Sequence, residues 1–288
     1  MDFLSDIQRF RSVHQLSEVP VGKYKFRYIL CGAGKETVTL LTGGMGLAEL
    51  NFRFIEKLER QYRVLAFDYP MGIDSNIKLA KAICVLIRKL KIEKTVFIGE
   101  SYGGYLAQII ARNDPAITEG MCLFSTAGLN VDTILSLEKK YALIAKPMLW
   151  ILGHAPYERL KPLLIKASLK HLKNVFNDEY RYMKDFFTWA FKDYSQDFDV
   201  HMTSLLIGIM HQSPCRREEF AYLKGKVMLI LPDDDDTFTP NMQRALISLF
   251  DNPYVVEHII GGHLAPIMQT EQYSMKIEDF IGKRIEGK

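Results

Sequence analysis

Apolar residues recur along this chain with two periods, and the switches between them predict most of its elements. Phe3, Ile7 and Phe10 stand at helical spacing within residues 3–16, and Pro20 closes that segment. Two strand-like runs follow, 24–30 and 37–41, separated by the turn-forming Gly32-Ala33-Gly34. From Thr37 onward short β-branched runs alternate with helical patterns. Strands are predicted over 63–67, 95–98 and 120–124, and helices over about 47–58, 75–90 and 104–112. In the second of these helices Ile77, Ala80, Ile83, Cys84 and Ile87 share one face.

Such alternation predicts right-handed βαβ units, hence an α/β fold with a mainly parallel central sheet covered by helices on both faces. The strand runs are almost continuously apolar, as strands buried on both faces must be. The rhythm stops between about Leu129 and Arg217, a stretch that reads as helical, holds Trp150 and Trp189, and has no strand pattern. It resumes with a strand at 227–231, a helix at 241–250, a strand at 254–260 and a last helix at 270–283. The expected organisation is a core of residues 1–128 and 218–288 with a helical cap insertion at 129–217.

Composition narrows the function classes. The 288 residues are 48% hydrophobic and 25% charged, which excludes disordered, collagen-like and disulfide-scaffold chains. With 37 basic and 34 acidic side chains the net charge is +3, so no electrostatic footprint for nucleic acid is present. Cysteines 31, 84, 122 and 215 lack paired spacing and are expected to be reduced. The start Met1-Asp2-Phe3 has neither the basic region nor the apolar run of a signal peptide. The longest apolar stretch, 141–153, is broken by Lys146 and Pro147 and is too short to span a bilayer. A cytoplasmic protein without a membrane span is the expectation.

The strongest chemical signal is Gly99-Glu100-Ser101-Tyr102-Gly103-Gly104, between a strand and a helix. A serine on a tight strand-to-helix turn is pushed above the sheet at a helix N-terminus, where that end and the Tyr102 N–H favour developing negative charge. A serine hydroxyl is a weak nucleophile and needs a base oriented by a third group. Two later strand ends offer both partners. One runs into Asp233-Asp234-Asp235-Asp236, which by itself equally suits a solvated acidic loop. The other runs into Gly261-Gly262-His263.

Serine, acid and histidine in this order resemble the α/β-hydrolase superfamily, over nearly all of the chain outside 129–217. That resemblance implies an acid four residues before Pro240, which is Asp236, with Asp235 as the fallback and Asp132 as a more distant candidate. It implies His263 as the base and Thr42-Gly43-Gly44 as the oxyanion loop, in which Gly44 and Tyr102 donate their N–H groups. Here Thr42 stands where the superfamily commonly has histidine. Residues 62–70 and Phe52-Arg53-Phe54 also resemble the maspardin branch, whose members depart from the triad at the histidine. This sequence keeps His263, which argues for turnover.

The implied activity is that of a serine hydrolase cleaving a carboxylic ester or related acyl bond of a small-molecule substrate, without cofactor. Peptidase, thioesterase or acyltransferase chemistry on the same triad, or a non-catalytic binding role, are the alternatives. No metal motif occurs among the seven histidines, and Glu49 breaks a dinucleotide-type glycine pattern at Gly44. Trp150, Phe186, Phe187, Trp189 and Met202 either line a pocket or form the insertion's own core, the second being the commoner arrangement. The Lys-rich stretch 161–173 reads as a solvated helix face. Oligomeric state leaves no mark on the sequence.

Overall fold

In the computed structural model, which describes residues 2–173 and 175–287, the chain opens with helix α1 (Phe3–Val13) and a hairpin of β1 (Ser17–Val21) and β2 (Tyr24–Cys31). Strand β1 is absent from the sequence reading because Pro20 lies inside it. The strand tolerates proline because it is the edge of the sheet, where a missing N–H breaks no interior ladder. Gly22, at φ +58°, makes the tight turn to β2.

The alternating region folds as β3 (Thr37–Leu41), α2 (Phe52–Leu58), β4 (Arg63–Phe67), α3 (Asn76–Lys89), β5 (Thr95–Glu100), α4 (Tyr102–Asn113) and β6 (Thr118–Phe124). The pattern at 47–58 splits into a short 3₁₀ turn, Ala48–Asn51, followed by α2. Four helices come next: α5 (Val131–His154), α6 (Tyr157–Leu169), α7 (Asn177–Lys192) and α8 (Gln196–Ile207). The sheet then resumes with β7 (Val227–Ile230), α9 (Pro240–Ser248), β8 (Tyr254–Val256), α10 (Ala265–Met268) and α11 (Thr270–Arg284).

The sheet order is β1-β2-β4-β3-β5-β6-β7-β8. Among the described residues, only the β1–β2 and β2–β4 pairings are antiparallel. Alternate strand residues feed two cores. Leu65, Phe97, Leu123 and Leu229 pack with α3 and α4 on one face. Val64, Ile98, Phe124 and Ile230 pack with α1, α2 and α11 on the other. This two-sided burial is why the strands read as unbroken apolar runs.

Strand β8 is shorter than its pattern predicts. His258 takes φ +59°, which breaks the ladder, and residues beyond it bond the neighbouring loop instead, with the Asp233 N–H donating to the Ile259 carbonyl at 2.8 Å. Helix α7 is tied to the N-terminal helix: Phe3 meets Tyr182, Phe186 and Trp189 edge-on. The four cysteines form no disulfide. No helix among the described residues is long and apolar enough to cross a membrane.

Candidate active site

Ser101 sits between β5 and α4 with φ +51° and ψ −115°, a backbone conformation that costs a non-glycine residue about 1–3 kcal/mol. The surroundings over-determine it. The Ser101 N–H donates to the Phe124 carbonyl at 3.0 Å, while its own carbonyl accepts from the Gly104 N–H at 3.0 Å and the Thr126 hydroxyl at 2.8 Å. The flanking glycines are required by space. A Cβ at Gly103 would lie 2.0 Å from the Leu41 carbonyl oxygen, and one at Gly99 would lie 2.6 Å from the Gly103 carbonyl oxygen. The helix therefore starts hard against the sheet and lifts the serine hydroxyl above it.

His263, in the loop after β8, places Nε2 at 3.1 Å from Ser101 Oγ. Its Nδ1 lies 3.1 Å from Asp235 Oδ2. Asp235 has a fully buried side chain, and its Oδ1 accepts the N–H groups of Thr237 at 2.8 Å and Phe238 at 3.3 Å. A carboxylate held on one oxygen by backbone amides can present the other to the imidazole in only one orientation.

The fold has many counterparts among solved structures. An α/β-hydrolase-fold protein from Chitinophaga pinensis superposes with a TM-score of 0.70 at 14% identity, over 94% of this chain and 98% of that one. The enol-lactonase from Burkholderia xenovorans LB400 gives 0.74 at 16% identity, over 92% and 100%. A thermophilic esterase from Thermogutta terrifontis gives 0.72 at 16% identity, over 94% and 99%. No family model matches the sequence, and no curated protein matches it. This chain has the α/β-hydrolase fold.

Within that fold the carboxylate beside His263 is Asp235, one residue before the expected Asp236. Asp236, the position four before Pro240, points away from His263 and pairs instead with His171 Nδ1 at 2.9 Å and Lys173 Nζ at 3.0 Å. The reason is the burial of Phe238, whose ring packs on Tyr105 and His263 with centroids 6.0 and 5.5 Å away. Anchoring that ring turns Asp235 inward and leaves Asp236, 41% exposed, facing the 171–173 segment. Asp234 caps the Gly261 and Gly262 N–H groups at 3.0 and 2.8 Å, joining the acid loop to the histidine loop. Asp132 opens α5 and is exposed.

Gly43 and Gly44 border the serine on the other side: a Cβ on Gly43 would sit 3.7 Å from Ser101 Cβ, and one on Gly44 would meet Leu206 of α8 at 3.0 Å. Thr42 holds this loop in the histidine's place. Its hydroxyl donates to the Leu47 carbonyl at 3.3 Å and accepts from Asn51 Nδ2 at 3.1 Å, while the Tyr69 hydroxyl donates to its carbonyl at 2.8 Å. Tyr102 is the first residue of α4, so its N–H has no acceptor within the helix. The Tyr102 hydroxyl donates to Asn76 Oδ1 at 2.6 Å, and Asn76 Nδ2 donates to the Leu205 carbonyl of α8 at 3.0 Å.

A cavity of about 750 Å³ opens beside Ser101. Its walls come mainly from α5, α6 and α8, with Tyr105 of α4 and Phe238 beside the serine, and are almost wholly apolar: Ile144, Met148, Leu160 and Leu206 are typical. Asp199 also lines it, with its carboxylate accepting from the Tyr157 hydroxyl at 2.9 Å and raised in pKa by burial. Of the five residues weighed as pocket walls, none lines this cavity. Phe186 and Phe187 are buried in the core shared with α1, Met202 packs under Gly46, Trp189 lies against Phe3, and Trp150 is exposed. Bulky aromatics at helical spacing served helix packing, as they do in most helical layers.

His171, Lys173 and Phe238 escaped the sequence reading. Nothing local links residue 171 to residue 236, and the surrounding lysines suggest solvent.

Glu100, between the β5 core and the elbow, borders a slot of about 10 Å³ beside Phe54 and Thr270, room for one water at most. Burial pushes its carboxyl from 4.5 up to about 7, with His263 opposing and Asp235 adding to the shift. Between those two values the folded protein holds a proton that the unfolded chain has released. Folding stability should therefore fall as pH rises from 4.5 to about 7, by up to about 3 kcal/mol, and stay low above that. Glu100→Gln should flatten this slope and raise the urea midpoint at pH 8. An unchanged difference between midpoints at pH 5 and pH 8 would contradict the assignment.

Proposed function

We propose that this protein is a serine hydrolase that cleaves esters of apolar carboxylic acids, or closely related acyl bonds, through an acyl-serine intermediate. The observation that carries the reading is the continuous Ser101–His263–Asp235 relay at the edge of an apolar cavity. Ser101 Oγ attacks the carbonyl carbon while His263 Nε2 takes its proton. Asp235 keeps the remaining ring proton on Nδ1 and balances the imidazolium. The Gly44 and Tyr102 N–H groups hold the oxyanion. Collapse breaks the bond to the alcohol oxygen, which leaves with the proton from His263. Water, deprotonated by the same nitrogen, then releases the acid and restores Ser101.

In this reading residues 129–217 serve as a cap whose helices α5, α6 and α8 wall the acyl site. The esterase and the enol-lactonase of the same fold support an acyl-bond substrate by analogy. The cavity is large enough for a medium or long acyl chain, since ligand sites typically span about 300–1,000 Å³. Its apolar walls favour such a chain over the polar backbone of a peptide.

The test pairs labelling with turnover. A fluorophosphonate probe should label Ser101, and kcat/KM over p-nitrophenyl esters should rise with acyl length before levelling. A folded protein that stays unlabelled and inactive across the series would mean a binding role instead.

A further inference from the structure

The outer face of α5 is largely exposed, although the Trp150 ring stacks on His154 of the same helix and Pro147 also borders the cavity. Leu143 is 89% exposed and Trp150 64% exposed, and Pro147 between them is exposed as well. These three stand at i, i+4 and i+7, so they form one line along the helix. The line beside it, Ile144, Met148 and Ile151, lines the cavity and is itself partly open to solvent. One apolar stripe thus runs from the outside of the molecule into the cavity next to Ser101. On α6, which also walls the cavity, Leu163 is 62% exposed and stands in sequence between the cavity residues Leu160 and Leu164.

Charge identifies what could cover it. Residues 131–173 hold eight basic and three acidic side chains, although the whole chain carries only +3, so the remainder is net acidic. Lys139 and Lys140 lie one turn before Leu143, and Lys146 lies within the apolar stretch. A helix that exposes Leu and Trp along one line with lysines at its borders matches the interface of a bilayer. There the lysine stems cover apolar surface while their heads meet anionic headgroups, and an indole sits at headgroup depth. A second copy packed on this face would bring two sets of these lysines into one interface.

We propose that α5 docks the protein on an anionic phospholipid surface, so that apolar substrate passes from the lipid along the stripe into the cavity. This rests on the hydrolase reading for its purpose. The docking itself needs no turnover, so it is tested on Ser101→Ala protein, and its failure is separable from failure of the chemistry.

The experiment is flotation with vesicles of phosphatidylcholine mixed with phosphatidylglycerol, and with vesicles of phosphatidylcholine alone. The protein should float with the mixed vesicles, less so as salt rises, and much less with the neutral ones. In a Trp189→Phe background, the fluorescence of Trp150 should shift to the blue on binding. Leu143→Glu with Trp150→Glu should reduce vesicle affinity about tenfold or more. Lys139→Glu with Lys146→Glu should remove the preference for anionic vesicles. Both pairs are solvent-exposed and should leave the melting temperature unchanged, and melts of each variant check this. Absence of flotation, or flotation unaffected by the Leu143 and Trp150 changes, would overturn the proposal. So would a dimer in sedimentation that those same changes dissociate, because the face would then be covered by a second copy.

Discussion

Ser101→Ala should lower kcat on a p-nitrophenyl ester by about 10⁴–10⁶ while leaving stability within about 1 kcal/mol of the parent. Alanine meets the same backbone demand at φ +51° as serine does, and the hydrogen bonds that hold the elbow use the residue's main chain. The deleted hydroxyl is the atom 3.1 Å from His263 Nε2. Its loss removes the nucleophile and the site of probe attachment together. The measurement is initial rate with a thermal melt on the same sample. A folded variant that keeps a tenth of parental activity would show that the acyl group never passes through this serine.

Asp235→Asn and Asp236→Asn should differ by orders of magnitude although the residues are adjacent. Asparagine at 235 keeps the size and the backbone capping of the buried side chain. It removes the charge that balances the imidazolium, and its amide can hold His263 in the wrong tautomer, which costs about 10⁴ in other triads. At 236 the change weakens half-exposed ion pairs to His171 and Lys173. Such pairs are worth about 0–1 kcal/mol, so kcat/KM should move by about fivefold at most. The reverse ranking would restore Asp236 as the partner of His263. Two mild variants would leave the histidine oriented by something other than either carboxylate.

The same pair of residues separates what was legible in the sequence from what was not. The alternation of strands and helices, the serine between glycines and the late histidine are local features. Each is written in a few consecutive residues whose period or steric demand has one cheap solution. Gly103 illustrates this, since the close approach of α4 to Leu41 admits no side chain. Strand β1 failed the local reading because proline is excluded only from interior strands, and edge position is a property of the assembled sheet.

The choice among four aspartates lies beyond local reading altogether. Every one of them satisfies the same spacing to within three residues, and turns tolerate neighbouring registers. What decides is the burial of Phe238 against Tyr105 and His263, and the reach of His171 and Lys173 from the far end of α6. The cavity walls are of the same kind. Phe186 and Trp189, which look fit for a pocket, are consumed where α7 meets α1, and the apolar face of α5 is left to line the cavity and to meet solvent. The sequence by itself determined the layers of the fold and the serine and histidine at its strand ends, because period and steric exclusion act over short stretches of chain. Which carboxylate faces the histidine, and which apolar surface stays uncovered, was decided only in the tertiary structure, where side chains distant in sequence compete for the same volume.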